Sequence, residues 1–171
     1  MRLFIAINFD RSVLEALTDL QESLKQAGIR GRYTPSDNMH MTLAFNGEYN
    51  DPDEILEIMD QIPFRSFTMK LGGVEHFRDM YFARIDDCRE LNNYVRRLRR
   101  ALSDRGIPFD RKKFSPHITL ARRVSIKGDY PEALIQMKNS RIDVDRISLM
   151  RSDRGKHGML YTELGNMSES N

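Results

Sequence analysis

One short pattern occurs twice in the chain, and it limits the folds available more than anything else in the sequence. His40-Met41-Thr42-Leu43-Ala44-Phe45 and His117-Ile118-Thr119-Leu120-Ala121-Arg122 stand 77 residues apart, each with a proline shortly upstream (Pro35, Pro116). With four His and six Thr in 171 residues, chance would place His-x-Thr about 0.14 times. Two copies, each followed by Leu-Ala, therefore mark an internal duplication. The offsets agree, since Leu3 precedes His40 by 37 residues and Tyr81 precedes His117 by 36. No linker or low-complexity segment separates the halves, so residues 1–171 read as one unit of two pseudo-symmetric lobes that do not fold independently. The polar end 167–171 reads as a frayed tail.

Four segments carry Asp or Ser followed three residues later by Glu, the spacing that satisfies free N–H groups at a helix start. They are Ser12-Glu15, Asp51-Glu54, Asp87-Glu90 and Asp129-Glu132. The first and third open amphipathic helices, with Val13, Leu17, Leu20 and Leu24 on one stripe and Leu91, Val95, Leu98 and Leu102 on the other, stopped by Gly28 and Gly106. The second has Pro52 at the first helical position and turns Ile55, Ile58, Met59 and Ile62 inward, and the fourth runs from Asp129 to about Asn139. Strand-like runs lie at about 2–8, 39–45, 66–74, 80–86, 117–124, 141–150 and 158–164. The order is β-α-β-α-β, repeated, with one closing strand.

A net charge of +2 excludes a general polyanion binder, so any basic patch is local. One exists: between Arg111 and Gly128 there are six cations (Arg111, Lys112, Lys113, Arg122, Arg123, Lys127) and no carboxylate. No apolar stretch approaches the roughly 20 residues of a membrane span, and the apolar run 3–7 is too short for a signal-peptide core. The lone Cys88 excludes an internal disulfide and a cysteine-based zinc site, which makes a reducing cytoplasm the expected compartment.

On a strand, i and i+2 share a face roughly 6 to 7 Å apart. Strict alternation therefore aligns His40, Thr42 and Ala44, and likewise His117, Thr119 and Ala121, with the alanine methyls leaving room for a ligand. Adjacent packing of the two strands would bring two imidazoles and two hydroxyls to one cleft. Such a set suits displacement at phosphorus. Imidazole titrates near 6.5, so one ring can accept a proton from water while the other donates to a leaving alkoxide, and the threonine hydroxyls can donate to phosphate oxygens. No metal or other cofactor is required.

The paired motifs, the duplication and the length resemble the 2H phosphoesterase superfamily. The run Phe114-Ser115-Pro116-His117-Ile118-Thr119-Leu120-Ala121-Arg122 is most similar to its RNA 2′,3′-cyclic phosphodiesterase branch, historically called 2′-5′ RNA ligase. The opening Met1-Arg2-Leu3-Phe4-Ile5-Ala6-Ile7 and the closing Ile147-Ser148-Leu149-Met150-Arg151-Ser152 with Tyr161 resemble that branch too. The resemblance implies a bilobal α+β fold, each lobe an antiparallel sheet with helices outside and the active-site groove between lobes. It also implies His40 as the acid that protonates the leaving 3′ oxygen, His117 as the base that activates water, and Thr42 and Thr119 on the phosphate. The product would be a 2′-phosphate, with weak reversible 2′-5′ ligation as the related reaction.

The resemblance further places Arg122 near the substrate. Strict alternation puts Arg122 on the face opposite His117, so a bulge or the strand's end must bring it round. Asn46 stands where the family often has Leu in Phe-Leu-Gly, a departure at the strand end. The expected partners are RNA ends or small cyclic nucleotides, with no membrane and a monomeric chain. The alternative is a binding module that holds phosphorylated RNA ends without turnover. A zinc hydrolase is disfavoured because the motifs supply no third ligand at coordination spacing.

Other chemistry-bearing residues read as structural. Arg96, Arg97, Arg99 and Arg100 surround Leu98 and read as a solvated helix face. His76 has no Thr partner, and His157 falls in the hairpin loop Asp153–Gly158. Gly28-Ile29-Arg30-Gly31 has the form of a backbone-clamping RNA loop but follows a helix stop. Cys88 reads as helix packing.

Overall fold

The computed structural model describes residues 1–125 and 141–169. Along the chain run β1 (Arg2–Asn8), α1 (Arg11–Gln26), β2 (Arg30–Tyr33), a 3₁₀ turn (Ser36–Asn38), β3 (His40–Glu48), α2 (Pro52–Gln61), β4 (Phe67–Phe77) and β5 (Met80–Ile85). Then follow α3 (Arg89–Asp104), β6 (His117–Ser125), β7 (Arg141–Val144), β8 (Arg146–Gly155) and β9 (Gly158–Ser168). The strands form two antiparallel sheets, β3-β1-β8-β9 and β2-β6-β5-β4-β7. The expected α+β fold is present.

The halves of the sequence are not the two sheets. β8 and β9, from the second half, complete the sheet that holds His40, and β2 and β4, from the first, complete the sheet that holds His117. The order β6-β5-β4-β7 repeats β3-β1-β8-β9, with β2 added outside β6. The two motif strands β3 and β6 lie against each other. One apolar cluster joins both sheets to the helices, including Leu3, Ile5 and Leu43 from the first sheet, Ile118 and Leu120 from the second, and Leu17, Ile58 and Leu98 from the helices. Among the described residues, no helix is long and apolar enough to cross a membrane.

Local signals explain most boundaries and correct some expectations. Asp51 caps α2 by accepting from the Glu54 N–H, as its spacing requires. At α1, however, the cap is Asp10, which accepts from the Val13 N–H, and Ser12 instead donates to Asp10. At α3 the cap position is Cys88, whose side chain makes no capping bond, while Asp87 accepts from Asn92. Burial pushes the Cys88 thiol up, so packing rather than thiolate chemistry is its role.

Gly28 and Gly106 end α1 and α3 with positive φ, +88° and +71°. The helix expected from Asp129 lies outside the described residues. The run 141–150 is two strands rather than one, broken at Asp145 so that β7 and β8 join different sheets. Met167 and Ser168, expected to belong to a frayed tail, instead pair with Ile147 and Arg146. The short β2 falls outside the strand-like runs of the sequence. Gly31 permits it, because a side chain there would meet Val124 Cγ2 at 2.8 Å and the Arg122 carbonyl at 2.9 Å.

Candidate active site

The pairing of each motif strand slips by one residue at the same place. On β3 the partners of Ile5 and Ala6 are Ala44 and Thr42, which skips Leu43. On β6 the partners of Tyr81 and Phe82 are Ala121 and Thr119, which skips Leu120. Each strand therefore carries a bulge just after His-x-Thr, and a bulge reverses the facing of everything that follows.

Two consequences correct the alternating picture. Ala44 and Ala121 do not line the cleft; both are wholly buried with their neighbours Leu43 and Leu120. The residues after them, Phe45 and Arg122, swing onto the histidine face instead. Arg122 needed such a bulge, and its strand has one, followed by a second irregularity opposite Gly31 where Arg123 takes φ +53°.

The five residues singled out in the sequence meet. His40, Thr42, His117, Thr119 and Arg122 line one cavity of about 100 Å³, together with Thr34, Asn38 and Tyr161. That is roughly the room of three waters, matched to a phosphate group rather than to a nucleotide. Beside it lies a groove of about 820 Å³, reached past Thr42, His117 and Arg122 and walled by Phe45, Phe82 and Phe114.

The two rings are held alike. His40 Nδ1 lies 2.7 Å from the Asn38 carbonyl, and His117 Nδ1 lies 2.7 Å from the Ser115 carbonyl. A carbonyl only accepts, so Nδ1 carries hydrogen in both and Nε2 is left for chemistry. His40 Nε2 lies 3.1 Å from Thr42 Oγ1. These carbonyls left no mark in the sequence, because any residue could supply them.

The surroundings differ. His40 packs between Phe4 and Tyr161, at ring distances of 5.0 and 5.2 Å, while His117 meets Phe82 edge-on at 5.5 Å and borders the groove. Burial pushes the His40 imidazole below its usual range of about 6.5, the Asn38 carbonyl partly opposes this, and the charges of Arg122 and His117 push it lower still.

His40 is accordingly expected to titrate below 6.5 in the free protein, read from its imidazole proton shifts against pH. Inorganic phosphate should raise it, because an anion favours imidazolium. A value at or above 6.5 without phosphate would contradict this environment. Linkage gives the matching sign for stability: unfolded His40 holds its proton to higher pH, so this group favours the native state above about 6.5 and that contribution fades as pH falls through the window below.

Other residues find structural places. Arg96, Arg97 and Arg100 are exposed, as a solvated face requires, but Arg99 turns inward and donates to the Leu43 and Lys112 carbonyls. His76 stacks on Tyr81 at 5.6 Å on the groove wall, and His157 sits in the β8–β9 turn. Asn46 is buried and donates to the Pro108 carbonyl, tying the end of β3 to the loop that leads toward His117. No group of three or more His, Cys, Asp or Glu is gathered as a metal site among the described residues.

Comparison with known proteins fits this geometry. Residues 7–83 and 85–161 each match the family described as LigT like Phosphoesterase. The chain belongs to that family. Its two matches are the duplication that the repeated motif announced. An RNA 2′,3′-cyclic phosphodiesterase of Thermotoga maritima is 30% identical over 177 residues, covering 96% of this chain and 93% of the relative. One of Aeropyrum pernix is 28% identical over 86% of this chain and 92% of the relative. In fold, this LigT-like phosphoesterase matches the E. coli LigT crystal structure complexed with 3′-AMP, with a TM-score of 0.86, 24% identity and coverage of 99% and 98% of the two chains.

Proposed function

We propose that this phosphoesterase is an RNA 2′,3′-cyclic phosphodiesterase that opens the cyclic phosphate of an RNA end or a mononucleotide to a 2′-phosphate. The observation that carries the reading is the cavity itself, with two imidazoles, two hydroxyls and one guanidinium around a space of phosphate size. The phosphate would sit there with Thr42, Thr119 and Arg122 on its non-bridging oxygens, and the nucleoside would extend into the aromatic groove, where a base can stack.

His117 borders the groove, which suits activation of water. Its free Nε2 takes a proton as the water oxygen bonds to phosphorus. The bond from phosphorus to O3′ breaks, and His40 Nε2–H gives its proton to that oxygen. The products are a 2′-phosphate and a 3′-hydroxyl, and the two rings have exchanged protonation states, to be reset by solvent. The lowered pKa of His40 makes it a readier donor once charged, and the substrate anion supplies the field that keeps it charged. Substituting a 5′-hydroxyl for water in the same steps yields a 2′-5′ linkage, so weak ligation belongs to the same reading.

The test is incubation with nucleoside 2′,3′-cyclic monophosphates and a cyclic-phosphate-ended RNA in excess EDTA, resolving 2′- from 3′-phosphate. The expected product is the 2′-phosphate at an EDTA-independent rate. A 3′-phosphate would reverse the assignment of the leaving oxygen. Tight binding of such ends without turnover would make the chain a binding module, and loss of rate in EDTA would bring a metal into the reaction.

A further inference from the structure

The skipped residues Leu43 and Leu120 turn their carbonyls to side chains from helices. Gln21 of α1, itself buried at 5% exposure, donates through Nε2 to the Leu120 carbonyl at 3.0 Å and to the Thr34 carbonyl at 2.8 Å. Arg99 of α3 donates through Nε and Nη2 to the Leu43 carbonyl at 3.1 and 3.0 Å. Gln21 and Arg99 are 78 residues apart, the same offset as the starts of the two family matches at 7 and 85. They are therefore the same position in the two copies. Each reaches across, Gln21 from the first copy to the second motif and Arg99 from the second copy to the first.

We infer that Gln21 and Arg99 are reciprocal positioning residues, each holding the bulge that orients the phosphate-facing groups of the opposite motif. A bulge leaves the ladder locally incomplete, so its geometry depends on whatever else binds the carbonyl. Gln21 fixes the bulge immediately before Arg122 and so sets where the guanidinium points. Arg99 fixes the one immediately after Thr42. It also donates to the Lys112 carbonyl at 2.7 Å and lies over the Phe114 ring at 5.5 Å, which couples the first motif to the segment entering the second. Gln21 is not among the residues that line the cavity or the groove; it acts through Arg122. The chemistry of the copies has diverged while the contact has stayed, with an amide at one position and a guanidinium at the other.

This rests on Arg122 and the motif threonines facing the phosphate, as the proposed function has them, so the test reads phosphate binding as well as turnover. Gln21→Met keeps the length and removes the donor, while the Thr34 N–H still serves the Leu120 carbonyl at 2.9 Å. Expected is an approximately tenfold weaker Kd for inorganic phosphate by NMR titration, and a kcat for 2′,3′-cyclic mononucleotide lowered about tenfold or more, as for a displaced catalytic group. In an Arg122→Ala background the same substitution should cost almost nothing, because its route is already gone. Equal losses in both backgrounds, or none in folded Gln21→Met protein, would overturn the inference.

Arg99→Met gives an independent arm that disturbs a half-buried site rather than the core. Its loss should vanish in a Thr42→Ala background and be partly restored by Arg99→Lys, and an Arg99→Met loss that persists there would count against the reciprocal scheme. If the unaltered protein binds phosphate but turns over no cyclic substrate, the proposed function fails while the phosphate cycles still decide this inference.

Discussion

His40→Ala and His117→Ala are each expected to lower kcat/KM toward a 2′,3′-cyclic phosphate by about 10² to 10⁴, the usual cost of removing a positioned general acid or base. Neither should disturb the fold, since both rings stand at the cavity wall rather than in the core. The double variant should lose much less than the product of the two effects, because the rings serve a single displacement. His117→Ala with nearly unaltered single-turnover rate would remove it as the base. The pH profile supplies a second check with a defined sign. An anion between the rings favours their charged forms, so the limbs of kcat should lie at higher pH than those of kcat/KM. Coincident limbs would mean that the anion does not sit between them.

Arg122→Ala comes next in size, with kcat/KM expected to fall by about 10² to 10³, as for loss of one preorganised donor to developing charge. Arg122→Lys should recover only part, because a point charge cannot reproduce a planar fork. Arg123→Ala is the matched control. Its side chain is exposed and is not among those lining the cavity or the groove, so turnover should hold. Thr42→Ala and Thr119→Ala should each cost less than either histidine. If Arg123→Ala matched Arg122→Ala, the bulge would not be selecting between the two neighbours.

What could be read from the residues was the duplication, the helix stripes and the set of side chains at the cleft. These are written in residue identity and period, and burial of Leu17, Leu98, Met41 and Ile118 follows them directly. What could not be read was written in backbone. Alternation placed Ala44 and Ala121 in the cleft, but a slip of one residue carried both into the core, and no side chain announces that slip. The carbonyls of Asn38 and Ser115 are equally silent, although they fix both ring tautomers. Arg99 shares with Arg96, Arg97 and Arg100 the pattern of a solvated face around Leu98, and its inward turn depends on an acceptor 56 residues away. The exchange of strands between sheets was hidden for the same reason, since each strand looks alike whichever sheet it joins.

That exchange bears on how the nascent chain must fold. β1 leaves the ribosome well before its second neighbour β8, which begins only at Arg146. Until then one edge of β1 offers unpaired N–H and C=O groups beside the apolar run Leu3–Ile7, an invitation to wrong pairing. Commitment of the sheet that holds His40 therefore waits on strands made much later, β8 and β9. Pairings this distant along the chain make acquisition of the native state slow relative to a helical protein of the same length.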